Sequence, residues 1–292
     1  MTVTSPAVLP DTAGPLRMTP GRWLALAVAV PVAVALIGWT GFSLVSSTAR
    51  GSYPFSYSVP VQDGQLALND SAGNVTLREA PASSSARLTG TVKYGLFRPD
   101  ISESGTPTGA NLGVDCAAVV SGDCWVNAAL SVPARTAITL WSNGGNIAAS
   151  GFSSGMTLWA GGGNVTASNL AGNLQLDTGG GDLAASGLAG TLQIGTEGGN
   201  VDASGVSSAA ASMQSGGGDV TLTFTQAPEN LQITAEGGNV TVILPPGDTT
   251  YDIATPDTGG GNVSYPSSLA DSASHRTITV DSGGGDITIS QG

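Results

Sequence analysis

A cluster of glycines followed by Asn or Asp returns eight times along this chain, as NGGNI, GGGNV, GGGDL, EGGNV, GGGDV, EGGNV, GGGNV and GGGDI. Taking that Asn or Asp as position zero gives Asn146, Asn164, Asp182, Asn200, Asp219, Asn239, Asn262 and Asp286, with steps of 18, 18, 18, 19, 20, 23 and 24 residues. A device repeated at a period near 18 is architecture before it is a site. A glycine loop that cradles phosphate must open a helix. None follows here, because the segment DLAAS after the cluster at 179–181 stops at Gly187.

The flanking positions keep the same period. Position +1 holds Ile147, Val165, Leu183, Val201, Val220, Val240, Val263 and Ile287. Position −6 holds Leu140, Leu158, Leu176, Ile194, Met213, Ile233, Pro256 and Val280, and position −8 is mostly aliphatic. Between these apolar columns, position −7 is always Thr, Gln or Ser. Such alternation is the period-two signature of a strand with one buried face. Each repeat therefore predicts two short strands, parted by a glycine corner and closed by a second turn such as GLAG. Glycine would supply positive φ at these corners, and Asn or Asp tolerates it next best. Neither strand can bury its apolar face alone, so the repeats must stack, with rows about 4.8 Å apart. The fold expected is an all-β solenoid over residues 136–292. Ala149, Ala167, Ala185 and Ala203 at position +3 imply a thin core in its first four coils.

A stacked sheet leaves an open edge and needs a cap. Residues 63–135, with the strand-like segments LALNDSAGNVTL and ARLTGTVKYGLF, supply the expected cap or first turns. Cys116 and Cys124 are the only cysteines, eight positions apart in DCAAVVSGDC. In an oxidising compartment such a pair closes a small loop as a disulfide. Redox catalysis would prefer C-x-x-C, and zinc would need more ligands than two thiols and one distant histidine.

The compartment is indicated by Trp23 to Val45, a stretch of 23 residues without a charge. As a helix it would rise roughly 34 Å, enough to cross a bilayer core. Trp23 and Trp39 suit its two interfaces, and Pro31 is tolerable there. A cleaved signal peptide is the rival reading, helped by STA before Arg50, but its apolar region would be only about 7–15 residues. Arg17 and Arg22 before the span set the N-terminus in the cytoplasm and the remainder outside. The organisation expected is a cytoplasmic tail (1–22), a transmembrane helix (23–45), a linker (46–62), the β cap (63–135) and the solenoid (136–292).

An anchor, a strand region with a Cys pair, the segment CWVNAALSVPARTAITLWSNGGNIAASGF and then repeated GG[ND]V…SGL coils together resemble the bacterial putative-adhesin family of β-strand-repeat proteins, a domain of unknown function. The likeness covers roughly residues 60–290. It implies an exported β-solenoid with a role in adhesion or envelope stress, and it brings no catalytic residues. The chain departs from the regular pattern after Asp219, where the steps lengthen and Pro256 enters a core column.

Several chemistries fail on the residues present. The net charge is −12 and Lys93 is the single lysine, so little is available to replace phosphate counterions and nucleic acid is not an expected partner. Calcium-binding repeats place G-G-x-G-x-D in nine-residue units. Here each coil has one glycine cluster and five of the eight position-zero residues are neutral Asn. No two of the Asp fall in neighbouring coils, as a stacked side-chain ladder requires if like charges are to stay apart. Cleavage of acidic polysaccharides needs basic residues, and from Thr136 to His275 there is no Lys or Arg. Asp177, Glu197 and Asp257 lie beside turns, and no carboxylate pair is singled out by spacing. His275 lacks an evident nucleophile partner. No enzyme activity, metal or cofactor is expected.

One feature exceeds a structural repeat. Trp141 and Trp159 both occupy position −5, an odd offset from the buried columns, so they should point outward in adjacent coils. They would either stack on the sugar rings of a glycan or pack against the cap. The expected function is a membrane-anchored extracellular binding module, for a cell-surface glycan or protein. The alternative is a sensory or scaffold module of an envelope-stress system.

Overall fold

The computed structural model describes residues 31–32, 51–59, 61, 63–70, 73–80, 85–95, 98, 100–106, 109–115 and 125–292. The chain forms two compact units, Met1–Ala49 and Arg50–Gly292. In the first, Pro31 and Val32 are helical. Among the described residues no helix is long and apolar enough to cross a membrane. The expected tail, the rest of the span 23–45 and the pair Cys116–Cys124 lie outside the described residues.

The second unit is built from strands. Its first seven are β1 (Gly51–Val59), β2 (Gln65–Asp70), β3 (Asn74–Glu79), β4 (Ala86–Tyr94), β5 (Asp100–Thr106), β6 (Gly109–Asp115) and β7 (Trp125–Val132). Residues 51–59, expected as linker, are thus the strand β1. Its alternating Tyr53, Phe55, Tyr57 and Val59 turn toward the core, and it pairs antiparallel with β4 along its whole length. Apolar alternation through a serine-rich segment makes it a strand.

The regular coils follow as β8 (Ala137–Ser142), β9 (Ile147–Ser150), β10 (Met156–Ala160), β11 (Val165–Thr178), β12 (Leu183–Thr196), β13 (Val201–Val206), β14 (Ala210–Ser215), β15 (Val220–Phe224), β16 (Asn230–Ala235) and β17 (Val240–Leu244). The chain ends with β18 (Asp252–Ala254), β19 (Val263–Ser264), β20 (Thr277–Ser282) and β21 (Ile287–Gln291). Strands preceding each glycine corner stack in parallel as β6–β2–β8–β10–β11–β12–β14–β16–β20–β18, with β5 antiparallel on β6. Strands following it stack as β7–β3–β9–β11–β12–β13–β15–β17–β21–β19, with β4 antiparallel on β7 and β1 antiparallel on β4. β2 and β3 therefore form a coil of the solenoid in their own right, placed directly beneath β8 and β9.

The core runs between the two ladders. Leu140, Leu158, Leu176, Ile194, Met213 and Ile233 face Val165, Leu183, Val201 and Val220, all buried. The four alanines at +3 are buried as expected, and Leu222, Val242 and Ile289 take over that column where the coils lengthen. A third apolar column, Phe152, Leu170, Leu188, Val206, Phe224 and Leu244, closes the core beside the second turn.

Side chains lock each corner. Ser142, Thr178, Thr196, Ser215 and Ser282 form a buried hydroxyl column at position −4. The Thr196 hydroxyl accepts from Gly199 N–H (3.0 Å) and donates to Gly199 C=O (3.3 Å), and Ser282 does the same with Gly285 (3.0 and 3.1 Å). On the outer side, the Oδ1 of each position-zero residue accepts the backbone N–H of its counterpart one row on. This holds from Asn74 to Asn146 (3.0 Å), through Asn164 to Asp182 (2.8 Å) and Asp182 to Asn200 (2.8 Å), to Asp286 and Asn262 (2.9 Å).

The last two rows are out of sequence order. β20 lies between β16 and β18, and β21 lies between β17 and β19, so Asp286 stacks on Asn239 and Asn262 stacks outside Asp286. The stretched steps after Asp219 reflect this crossover. Pro256 belongs to the outermost coil, after β18 has ended, and is exposed; it enters no core column. In space the ladder from Asn164 reads Asn164, Asp182, Asn200, Asp219, Asn239, Asp286, Asn262, so every Asp sits between two Asn. Two carboxylates about 5 Å apart repel by about 1 kcal/mol in water and about 3 kcal/mol at an effective dielectric of 20. Alternation removes that term from every row.

The glycines supply the expected positive φ at the second turn and serve a different end at most of the corners. Positive φ is found at the second turn, in Gly151, Gly187, Gly190, Gly205 and Asn169, and at a minority of the corners, in Gly73 and Gly238 next to position zero and in Gly259 and Gly260 of the outermost row. The glycine at −1 is required by close approach. A Cβ on Gly163, Gly181, Gly199 or Gly218 would fall on the carbonyl of the same glycine one row below, whereas one on Gly162, Gly180 or Gly217 meets nothing. Gly181→Ala should therefore destabilise the protein by about 1–3 kcal/mol through overpacking against backbone. Gly180→Ala should be neutral or stabilise by about 0.5 kcal/mol. Thermal melts of the two variants beside the parent check this; equal melting would refute the close-approach column. Val201→Asp should lower the melting temperature sharply, since an unpaired carboxylate in that core costs several kcal/mol.

Candidate functional site

The outward faces of the corner-preceding strands carry the side chains that the solenoid leaves available. Trp141 and Trp159 occupy register-paired positions of β8 and β10, and their rings stack at 5.6 Å between centroids with a 38° tilt. Trp141 is 47% exposed; Trp159 is half-buried between it and the next row. Trp141 is flanked on its other side by Asn69 of β2, so the first coil leaves the indole largely open. Gly161, beside Trp159, has room for no side chain without touching that ring.

Asp177 follows Trp159 in the same column. Burial pushes its carboxyl above the usual carboxylate range, and the Gln175 amide, donating to Oδ2 at 2.9 Å, opposes that shift. The row beyond it is Gly195, whose missing side chain gives the carboxylate its space. Further along the same face, Gln193, Ser212 and Gln232 line a shallow depression of about 190 Å³ floored by Ala210 and Ala211. Five row spacings of about 4.8 Å separate Trp141 from Gln232, a strip of about 24 Å. An aromatic platform thus runs into a groove of amides and hydroxyls. These can accept and donate hydrogen bonds but cannot transfer protons near neutral pH.

The sequence-derived candidates divide by position. The two tryptophans are brought together as a stack. Asn146, Asn164, Asp182, Asn200, Asp219, Asn239, Asn262 and Asp286 form the exposed hydrogen-bonded ladder, and Asn74 extends it by one row that the glycine spacing did not reveal. His275, Glu197 and Asp257 are exposed and scattered. Among the described residues no three His, Cys, Asp or Glu side chains cluster to hold a metal. The amide groove went unread because position −7 looked like the solvent side of an ordinary strand. Its signal was Gln175, Gln193 and Gln232, long side chains, beside Ser212, a short one.

Among solved structures, the fold resembles a putative adhesin from Bacteroides fragilis, at 13% identity and a TM-score of 0.44 over 82% of this chain and 97% of that one. A putative adhesin from Parabacteroides distasonis matches at 11% identity and a TM-score of 0.45, over 83% and 97%. A putative lipid binding protein from the same species matches at 8% identity and a TM-score of 0.36, over 85% and 98%. No curated protein sequence matches this one. The sequence profile of the Toastrack DUF4097 family matches residues 120–290, from the last cap strand to the final coil. The chain belongs to the Toastrack DUF4097 family.

Proposed function

We propose that this chain is a membrane-anchored, non-catalytic binding module of the cell exterior, and that its solenoid holds a glycan across Trp141 and Trp159. The observation that carries the reading is the tryptophan stack itself. Two neighbouring indoles on the outer face, with Trp141 47% exposed, offer a large apolar surface to water that no buried strand needs. The amides beyond it supply hydrogen bonds to hydroxyls. The 23 uncharged residues from Trp23 to Val45 support the anchor, and the arginines ahead of them support the outward orientation of the solenoid.

A glycan-array screen of the full chain should find ligands, and alanine at Trp141 or Trp159 should weaken their binding by about 1–3 kcal/mol, as for other buried interface aromatics. The melting temperature should stay nearly unchanged, because the rings cover no core. A double alanine variant that melts much earlier but binds as before would make the pair packing and end this reading. For the anchor, the mature protein should partition with membranes and keep its N-terminus by mass spectrometry. A mature chain beginning at Arg50 would overturn it.

A further inference from the structure

The outer face of β1, β4, β7 and β3 gathers positive charge in a chain of net charge −12. Arg87 of β4 and Arg78 of β3 flank Ser131 of β7 in one row, on opposite sides. Lys93, at the other end of β4, is paired with Trp125 of β7, which is 48% exposed. All three cations are exposed, and no ion pair ties any of them to a described carboxylate. Among the described residues, no acid points outward from these four strands. Continuing from Thr76 through Ala148, Thr166 and Ala184, the first carboxylate of that column is Asp202, four rows away, and in the adjoining column it is Asp182, three rows beyond Asn74.

Between the cations the surface sinks into an open depression of about 470 Å³, lined by Thr76, Thr89, Thr91, Asn127 and Pro54. Arg78 and Arg87 are about 10 Å apart across two strand spacings, and Lys93 lies about 20 Å from Arg87 along β4. One small anion cannot reach both ends. A polymer bearing charge along its length can, laying its hydroxyls on the threonines and asparagine and a ring face on Trp125.

We infer that this face binds an anionic polysaccharide, with Arg78, Arg87 and Lys93 pairing to its carboxylates, the threonine floor bonding its hydroxyls and Trp125 stacking on a sugar. A one-signed cleft concentrates a polyanion and steers its approach, and guanidinium groups pair with carboxylates through two parallel hydrogen bonds. A bilayer surface fits less well, because the floor between the charges is recessed and Trp125, at one end, is the single large apolar side chain that the described residues of these strands turn outward. The face uses other strands than Trp141 and Trp159, so it stands apart from the glycan reading above.

The experiment titrates the full chain with polygalacturonate, with neutral dextran and with phosphatidylglycerol vesicles. Polygalacturonate should bind and dextran should not. Arg78→Ala/Arg87→Ala/Lys93→Ala should weaken binding tenfold or more, Trp125→Ala severalfold, and Trp141→Ala/Trp159→Ala not at all. Raising salt from about 50 to about 500 mM should weaken it in the parent far more than in the triple variant, as screening of these charges demands. If the triple variant fails to fold, Lys93→Ala alone and the salt dependence carry the same decision. Unchanged binding in the charge variants overturns the inference, as does binding to vesicles only. Light scattering showing a dimer that the triple variant loses, with no polygalacturonate bound, would assign the face to the acidic solenoid of a second copy and overturn it equally.

Discussion

Each row of this solenoid is registered on the next by one hydrogen bond, from the backbone N–H of a position-zero residue to the Oδ1 of the one below. The acceptor must be Asn or Asp, because only a side chain of that length brings an oxygen to the N–H that the corner turns outward. A parallel ladder tolerates slippage wherever its faces are uniform. Here a slip of one residue would break the outer bond in every row and turn the apolar columns to water at the same time. The two penalties fall together, and this is why coils of 18 to 24 residues keep a common register while their second turns vary in length.

The glycine column belongs to the same constraint. For the Oδ1 to reach the next N–H, successive corners must approach until the backbone of one row occupies the Cβ position of the next. The central glycine of each cluster faces open space and is under no such demand. Close approach also dries the corner; the buried hydroxyls of Ser142, Thr178, Thr196 and Ser282 meet N–H groups that water can no longer reach, and that of Ser215 donates to the Gly218 carbonyl. In the row where Ala160 takes that place, the next row supplies a tie: the Gly163 carbonyl accepts from Thr178 at 2.8 Å.

The coil period, the buried columns and the identity of the ladder were legible in the sequence, because each is a local pattern repeated on one period. The row order was not. Sequence places Asn262 next to Asn239 and Asp286 at the end, whereas the fold inserts the final coil between its predecessors, and only the stretched steps and Pro256 marked the disturbance. The strand β1 escaped because its aromatic alternation lacks the repeat's signature. Positive φ was read correctly for the second turn, but at most corners the glycine is there for close approach, and composition cannot tell a residue chosen for positive φ from one chosen for having no Cβ. The outward pair Trp141 and Trp159 followed from parity alone. The groove beside it depends on which neighbours are short, a relation between rows that no single strand displays.

Charge is distributed as the ladder allows. A row-to-row spacing of about 4.8 Å makes any column of like charges costly, so the regular coils hold their carboxylates apart and exclude Lys and Arg from Thr136 to His275. Cations gather beside the antiparallel strands that interrupt the repeat, whose cross-strand neighbours are set by different pairings. β4 and β7 are such strands, and Arg87 and Lys93 lie on them, with Arg78 one strand away on β3. The rule that spaces the carboxylates of the coils therefore leaves the solenoid acidic but without adjacent like charges in its ladder, and gathers Arg78, Arg87 and Lys93 at the cap end.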